Sequence, residues 1–172
     1  MEAMKRPSTL LAAQLFWLLC ACADSKPPAS AASPVLGQTI SIALPSDDGA
    51  LVSIPFEAHS VVLDVWSPTC VPCRESVPAL VKRAADLEAA NAKLVLVAVL
   101  ADDETTEGAR ERLASWGVRR PFLVDRGEVL LREANVTALP ATLVISPGGE
   151  VRWIAPTDAT VADIVNVVRS VR

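Results

Sequence analysis

The stretch "VVLDVWSPTCVPCRESVPAL", residues 61–80, decides the fold, because it joins a buried strand to a helix through two cysteines. The apolar and β-branched run that ends at Trp66 is typical of a strand covered on both faces. Cys70 and Cys73 follow this run and are separated by two residues. Beyond the N-terminal leader they are the only cysteines of the chain, so the chemistry of the chain depends on this pair.

Three kinds of chemistry use cysteines at this spacing. A structural zinc site needs four Cys or His ligands, whereas the chain beyond the leader adds only His59 to the pair. A copper relay would pair the cysteines with a downstream His, whereas His59 lies before them. A passive disulfide between residues three apart would constrain the unfolded chain little. A reversible redox couple explains the placement of Cys70 best, because the start of a helix favours the thiolate. Pro72, which has no N–H, suits the entry to such a helix.

The periodicity of the rest of the chain predicts alternating strands and helices. Strands are predicted at 38–45, 50–56, 60–66, 93–100 and 121–125, and a hairpin with the turn "SPGG" is predicted at 141–154. Helices are predicted from the cysteines to about Asn91 with a kink at Pro78, over 102–117 ending at Gly117, up to about Asn135, and over 158–172 with Asp158 as N-cap. This order predicts an α/β fold with a mixed central sheet.

A second stretch, "VTALPATLVISPGGEVRW" at residues 136–153, completes a recognisable pair of motifs. Together with residues 61–80 it resembles the thioredoxin superfamily, and in particular the exported TlpA/ResA-like thiol-disulfide oxidoreductases. The resemblance covers roughly residues 35–172 and implies a thioredoxin-like domain at 37–172. It implies a central mixed β-sheet flanked by helices, with an N-terminal β-hairpin extension.

The resemblance assigns roles to individual residues. Cys70 is expected to be the attacking nucleophile and Cys73 the residue that resolves the mixed disulfide, with no metal and no cofactor beyond this pair. Asp64 matches a buried acid of the family, whose pKa burial should raise and which could act as general base for Cys73. The alternative is an Asp that points outward from an edge position. Pro140 matches the cis-proline of the family, and the substrate-binding residues that the resemblance implies are Trp66, Thr69, Leu139 and Pro140.

The sequence departs from the family pattern in two places. Thr69 stands directly before Cys70, where relatives usually carry an aromatic residue. Ser76 stands three residues after Cys73, where relatives tend to have Glu, and the neighbouring Glu75 is expected to be solvated. We expect Thr69 to alter the exposed edge of the site and the choice of partner.

The leader indicates where the protein works. Residues 1–21 carry two early basic residues and then an apolar stretch at 10–19 that is short for a membrane span, as in a signal peptide. The segment "LCAC", residues 19–22, resembles a bacterial lipobox, which predicts lipidation of Cys22. The Pro-, Ser- and Ala-rich residues 22–36 are predicted to be a flexible tether. An uncleaved anchor and an ordinary signal peptide remain the alternatives.

These observations predict an exported thiol-disulfide oxidoreductase, lipid-anchored on the periplasmic side of a bacterial membrane and acting as a reductant. Expected partners are disulfide-containing proteins and a membrane thiol electron donor, and cytochrome c maturation is a common assignment in the family. The net charge of −4, without a basic cluster, makes a nucleic-acid partner unexpected. The alternatives are a non-catalytic thioredoxin-fold adaptor lipoprotein and a peroxidase. A peroxidase would want Thr three residues before its Cys, whereas Thr69 is adjacent to Cys70.

Overall fold

The computed structural model describes residues 36–156 and 159–171 of the chain. The predicted signal peptide, Cys22, the predicted tether up to residue 35 and Asp158 lie outside the described residues. The elements of the described part are, in chain order, β1 (Ile42–Pro45), β2 (Leu51–Ile54), β3 (Ser60–Trp66), α1 (Cys73–Val81), α2 (Ala84–Ala89), β4 (Ala92–Leu100), α3 (Thr106–Ser115), β5 (Phe122–Arg126), α4 (Val129–Glu133), β6 (Ala141–Ile145), β7 (Val151–Ile154) and α5 (Val161–Ser170).

A mixed sheet with the strand order β5-β4-β3-β6-β7 forms the centre of the fold. Strand β3 pairs with β4 in parallel and with β6 antiparallel, and all seven of its residues are buried. Side chains alternate across a strand, so Val62 and Trp66 join a core cluster with α1, α2, α3 and α5, whereas Leu63 joins the core cluster under the hairpin and α4. The predicted α/β fold with a mixed sheet flanked by helices is confirmed.

The N-terminal hairpin predicted from the sequence is also confirmed. Strands β1 and β2 pair antiparallel and are joined by the turn at 46–49. The hairpin meets the edge of the central sheet, where the Asp47 N–H donates to the carbonyl of Phe122 at 2.8 Å and Ser46 bridges to Leu123. This contact fixes the hairpin to β5.

The long helix predicted after the cysteines is two helices. Helix α1 begins at Cys73 and ends at Val81, and α2 follows after a break at residues 82–83. Arg83 leaves the helical region at φ −103° and ψ 10°, and its N–H donates to the carbonyl of Leu80, one residue closer than in an α-helix. Pro78 lies inside α1, so the interruption falls four residues later than the predicted kink. The break lets α2 direct Leu87 into the core.

Two helix starts also differ from the sequence expectation. Helix α3 begins at Thr106 rather than 102, because the Thr105 side chain caps it by accepting from the N–H of Gly108 at 3.0 Å. Helix α5 is capped by Thr160, which forms a capping box with Asp163. The prediction of Asp158 as its N-cap is therefore wrong, because Thr160 holds that position and the helix begins at Val161, three residues after Asp158.

Candidate active site

The two cysteines lie where the central strand gives way to the first helix. Cys70 is half-buried in the turn between β3 and α1, and Cys73 is the first residue of α1 and is fully buried. A disulfide joins them, with a Cα–Cα distance of 5.4 Å. Pro72 is the N-cap of α1, and Val71 is 82 % exposed beside the disulfide. The sulfur of Cys70 is thus the more accessible of the two to an incoming thiol.

Asp64 is a buried acid on the sheet face that carries Cys73. It lies between Val62 and Trp66 on β3, and both of these residues share a core cluster with Cys73. Only 1 % of the Asp64 residue is exposed, so the alternative of an outward-pointing Asp at an edge is wrong. Burial removes the water that would stabilise its charge and raises the pKa of Asp64 to about 7, although a hydrogen bond from Thr142 opposes the shift.

The two oxygens of the Asp64 carboxyl group have different surroundings. The hydroxyl of Thr142 donates to Oδ1 at 2.9 Å, because the antiparallel register of β3 and β6 sets Thr142 directly opposite Asp64. Oδ2 is buried and has no hydrogen-bond partner among the described residues. One carboxyl oxygen is therefore engaged, and the other is free for proton exchange. Sequence reasoning missed Thr142, because only the strand register brings it to Asp64.

Trp66 lies below the site rather than on its surface. The side chain is fully buried and makes edge-to-face contacts with Trp116, at a ring-centre distance of 5.3 Å, and with Phe122, at 5.7 Å. A buried side chain cannot touch a docked protein, so this structure does not give Trp66 the substrate contact expected from the sequence. Its packing instead supports the core beneath Cys73.

The loop that precedes β6 carries the remaining site residues predicted from the sequence. The peptide bond between Leu139 and Pro140 is cis, as the resemblance implies. A groove of about 640 Å³, here called the α5 groove, is lined by Pro72, Leu139, Pro140, Thr142 and residues at the start of α5. A second groove of about 580 Å³, the β4 groove, is lined by Thr69, Leu139 and the loop after β4. Leu139 therefore lines both grooves, and each groove also contacts a sequence neighbour of the cysteines, Thr69 or Pro72.

The position where relatives tend to carry Glu is occupied by a small hydroxyl residue at the wall of the α5 groove. Ser76 is half-buried, and its Oγ has no hydrogen-bond partner among the described residues. Glu75 is exposed at the same groove, as expected for a solvated helix residue. The α5 groove is thus lined by a carboxylate and by small hydroxyl residues as well as by apolar side chains.

Within residues 36–156 and 159–171, no group of three or more His, Cys, Asp or Glu side chains is arranged to hold a metal ion. In the same described ranges, no helix is both long and apolar enough to cross a membrane.

The chain matches one protein family and is similar in sequence to thiol-disulfide oxidoreductases. Residues 37–154 match the model of the AhpC/TSA family. The thiol-disulfide oxidoreductase ResA of Geobacillus kaustophilus is 26 % identical over 117 residues, which are 68 % of this chain and 66 % of that protein. The sporulation thiol-disulfide oxidoreductase A of Bacillus subtilis is 23 % identical over 104 residues, 60 % of this chain and 63 % of that protein. The chain thus spans slightly less than two thirds of the length of these relatives.

Solved structures share the same fold. A candidate thiol:disulfide interchange protein DsbE from Chlorobium tepidum superposes with a TM-score of 0.65 at 25 % identity, covering 79 % of this chain and 99 % of that one. The exposed lipoprotein thioredoxin of Streptococcus pneumoniae gives a TM-score of 0.62 at 20 % identity, covering 76 % and 99 %. These similarities show a thioredoxin-like fold.

Proposed function

Because this chain belongs to the AhpC/TSA family of thioredoxin-like proteins, we propose that it is a thiol-disulfide oxidoreductase that reduces protein disulfides. The observation that carries the proposal is the disulfide between half-buried Cys70 and fully buried Cys73, directly after the central strand. A staple across so short a loop would add little stability, whereas an accessible sulfur followed by a buried one suits sequential thiol exchange.

The reaction begins at the reduced pair. The thiolate of Cys70, favoured by the N-terminal end of α1, attacks one sulfur of a substrate disulfide. A bond forms between Cys70 and that sulfur, the substrate disulfide breaks, and the other substrate sulfur leaves as a thiolate that takes a proton from water. Cys73 then attacks Cys70, so the Cys70–Cys73 disulfide forms and the second substrate thiol is released. Two electrons pass from the cysteine pair to the substrate.

The second step needs Cys73 to lose its proton in a buried place. We assign Asp64 as the general base, because it lies on the same sheet face and its raised pKa of about 7 lets it hold a proton near neutral pH. The thiol proton of Cys73 passes to the Asp64 carboxylate, which becomes a neutral acid. This transfer avoids leaving a buried carboxylate charged next to a new buried thiolate.

The surface around the disulfide is the proposed docking site for substrate. Thr69, Leu139 and Pro140 line the two grooves, and exposed Val71 adds an apolar contact. An extended substrate segment would pair with the backbone at Leu139, as in β-strand addition. Thr69 stands where relatives usually carry an aromatic residue, so the exposed edge of this docking site is smaller and more polar.

The leader supports the proposed location. The lipobox-like segment at 19–22 favours a lipid anchor on Cys22, and the tether at 22–36 would let the domain reach partners above a membrane on the periplasmic side. A reductant in an oxidising compartment needs a supply of electrons, so we propose a membrane thiol donor that reduces Cys70–Cys73 after each turnover. The proposed role resembles cytochrome c maturation, with oxidised Cys-x-x-Cys-His segments as substrates.

Insulin reduction, coupled to a dithiol, tests the activity. The wild-type protein should accelerate insulin precipitation, and Cys70→Ser should abolish the acceleration. Cys73→Ser should instead accumulate a mixed disulfide through Cys70, visible by mass spectrometry.

Equal activity in wild type and Cys70→Ser would favour the adaptor alternative. Consumption of peroxide by the reduced protein, without disulfide reduction, would favour the peroxidase. An oxidised Cys-x-x-Cys-His peptide, compared with a scrambled disulfide peptide, tests the substrate class.

A further inference from the structure

We propose that Thr142 is a positioning residue for the exchange reaction, whose hydroxyl holds Oδ1 of Asp64 so that Oδ2 is the oxygen that takes the proton of Cys73. The inference rests on the proposed oxidoreductase function, because it concerns the base that serves the second step of that reaction. It adds a residue of β6 itself to the site.

The geometry restricts how the carboxyl group of Asp64 can be held. Its neighbours on β3 are Val62 and Trp66, and Leu96 lies opposite it on β4, so the surrounding strands offer mostly apolar contacts. Thr142 is the side chain that hydrogen-bonds it within the described part of the chain, at 2.9 Å to Oδ1. Without that bond, both carboxyl oxygens would be buried without a partner, and the rotation of the group would no longer be fixed by a hydrogen bond.

In β4, β6, α1 and α5, no charged side chain is turned toward this carboxyl group. Strand β6 carries no charged residue, and Lys93 of β4 is exposed over the ring of Phe56. The titratable group that points inward from α1 is Cys73. The charged residues of these two helices are all exposed, and they are Arg74 and Glu75 of α1 and Asp163 and Arg169 of α5. Lys82, which directly follows α1, is exposed as well. Thr142 is therefore the local group that opposes the effect of burial on Asp64.

Thr142 also reaches the α5 groove, which the buried base does not line. It is 9 % exposed and lines the α5 groove, while Asp64 beside it on β3 is 1 % exposed. Thr142 thus contacts the buried carboxyl group through its hydroxyl and also forms part of the groove wall. A group in this position can control both the orientation of the base and the acidity at which it works.

The proton transfer that this arrangement serves is balanced within the site. The S–H bond of Cys73 breaks, and its proton forms an O–H bond at Oδ2 of Asp64. The resulting thiolate attacks Cys70, the bond between Cys70 and the substrate sulfur breaks, and that sulfur leaves as a thiolate that takes a proton from water. Throughout, the Thr142 hydroxyl keeps its own proton and donates it to Oδ1 as a hydrogen bond. The next cycle requires Asp64 to release the proton, and the donor dithiol restores the cysteine thiols.

The first test is the titration of the Asp64 carboxyl carbon by NMR in the oxidised full-length protein, where the cysteines do not titrate. Thr142→Val removes the hydroxyl while keeping the shape of the side chain. Loss of the donor should raise the midpoint by about one pH unit above the wild-type value, because a donor to a charged group stabilises the charged form. Thr142→Ser should keep the wild-type midpoint. Thr106→Val, which removes a hydroxyl from the first residue of α3, is the matched control and should leave the midpoint unchanged.

The second test separates positioning from simple packing. In single-turnover reduction of a disulfide peptide by prereduced protein, Thr142→Val should lower the rate at pH 7 about fivefold, because the ionised share of Asp64 falls from about half to about a tenth. The rate should recover near pH 9, and Thr142→Ser should behave as wild type. In an Asp64→Asn background, Thr142→Val should have no further effect on the rate.

The results of these tests distinguish a failure of the role of Thr142 from a failure of the proposed function. An unchanged Asp64 midpoint in Thr142→Val, or a loss of rate that persists in the Asp64→Asn background, overturns the role of Thr142. Wild-type protein that reduces no disulfide overturns the proposed function instead, while the NMR titration still decides whether Thr142 sets the acidity of Asp64. If Thr142→Val does not fold, a wild-type midpoint and pH profile in Thr142→Ser, together with a raised midpoint in Thr142→Ala, support the assignment. An unshifted midpoint in Thr142→Ala overturns it.

Discussion

Replacing Asp64 with Asn should change how the stability of the domain depends on pH. In the unfolded chain the Asp64 carboxyl group loses its proton near its ordinary pKa of 3.8, whereas in the folded protein it does so near about 7. Between these values the folded state binds more protons than the unfolded state, so stability falls as pH rises. Below this pH window Asp64 is protonated in both states, and its contribution to the free energy of unfolding is complete. Above the window Asp64 is ionised in both states, and this contribution is lost.

The size of the effect follows from the shift. A difference of about three pKa units corresponds to about 4 kcal/mol, at roughly 1.4 kcal/mol for each unit. The wild-type protein should therefore lose about 4 kcal/mol of this contribution between about pH 4 and pH 7. Asn has no such proton to lose and its side-chain oxygen can still accept from Thr142. Asp64→Asn should remove the downward slope and should be the more stable protein at pH 8.

Urea denaturation of the oxidised protein at a series of pH values from 4 to 8 measures this difference. Asp163→Asn is a suitable control, because Asp163 is exposed and the Thr160 hydrogen bonds lower its pKa. A lowered pKa gives the opposite sign, so the contribution of Asp163 is present at neutral pH and is lost as pH falls. Parallel stability curves for wild type and Asp64→Asn would refute the idea that burial holds a proton on Asp64.

Three other changes have expected outcomes that follow from single contacts. Leu63→Ala should destabilise the domain by about 2–5 kcal/mol in urea denaturation, because Leu63 is fully buried in the central strand, whereas Leu51→Ala, at 72 % exposed, should change stability by less than about 0.5 kcal/mol. Thr160→Ala should cost about 1 kcal/mol in the same assay through loss of the capping box of α5, and an unchanged midpoint would contradict the cap. Cys22→Ser should remove a lipid adduct that mass spectrometry detects in the membrane fraction, whereas Cys20→Ser should keep it, and an adduct that survives Cys22→Ser would exclude that anchor.

The parts of the fold that the sequence predicted well are those set by local pattern. The apolar run of β3 predicts its own bounds, because a strand covered on both faces needs no polar alternation. The turn at 146–149 and the helix end at Gly117, where φ is 80°, follow from the residues that those conformations require. Local chemistry at these points and the global fold agree.

The parts that the sequence did not predict depend on tertiary contacts or on a choice between neighbours. Thr142 meets Asp64 only through the antiparallel register of β3 and β6, which no local signal specifies. The burial of Trp66 depends on partners far along the chain, such as Trp116 and Phe122. The cap of α5 did have a local signal, since a Thr three residues before an Asp predicts a capping box, and Asp158 was the competing candidate.

The acidity of the Cys70 thiol tests the redox mechanism most directly. Alkylation of the reduced protein by iodoacetamide, followed at Cys70 by mass spectrometry across a pH series, reports the fraction of thiolate. With Cys70 before the N-terminus of α1, the midpoint should lie within about 3.5–7.5, well below that of free cysteine. A midpoint at or above about 8.5, unchanged from that of an unfolded control, would contradict a reactive thiolate at this position.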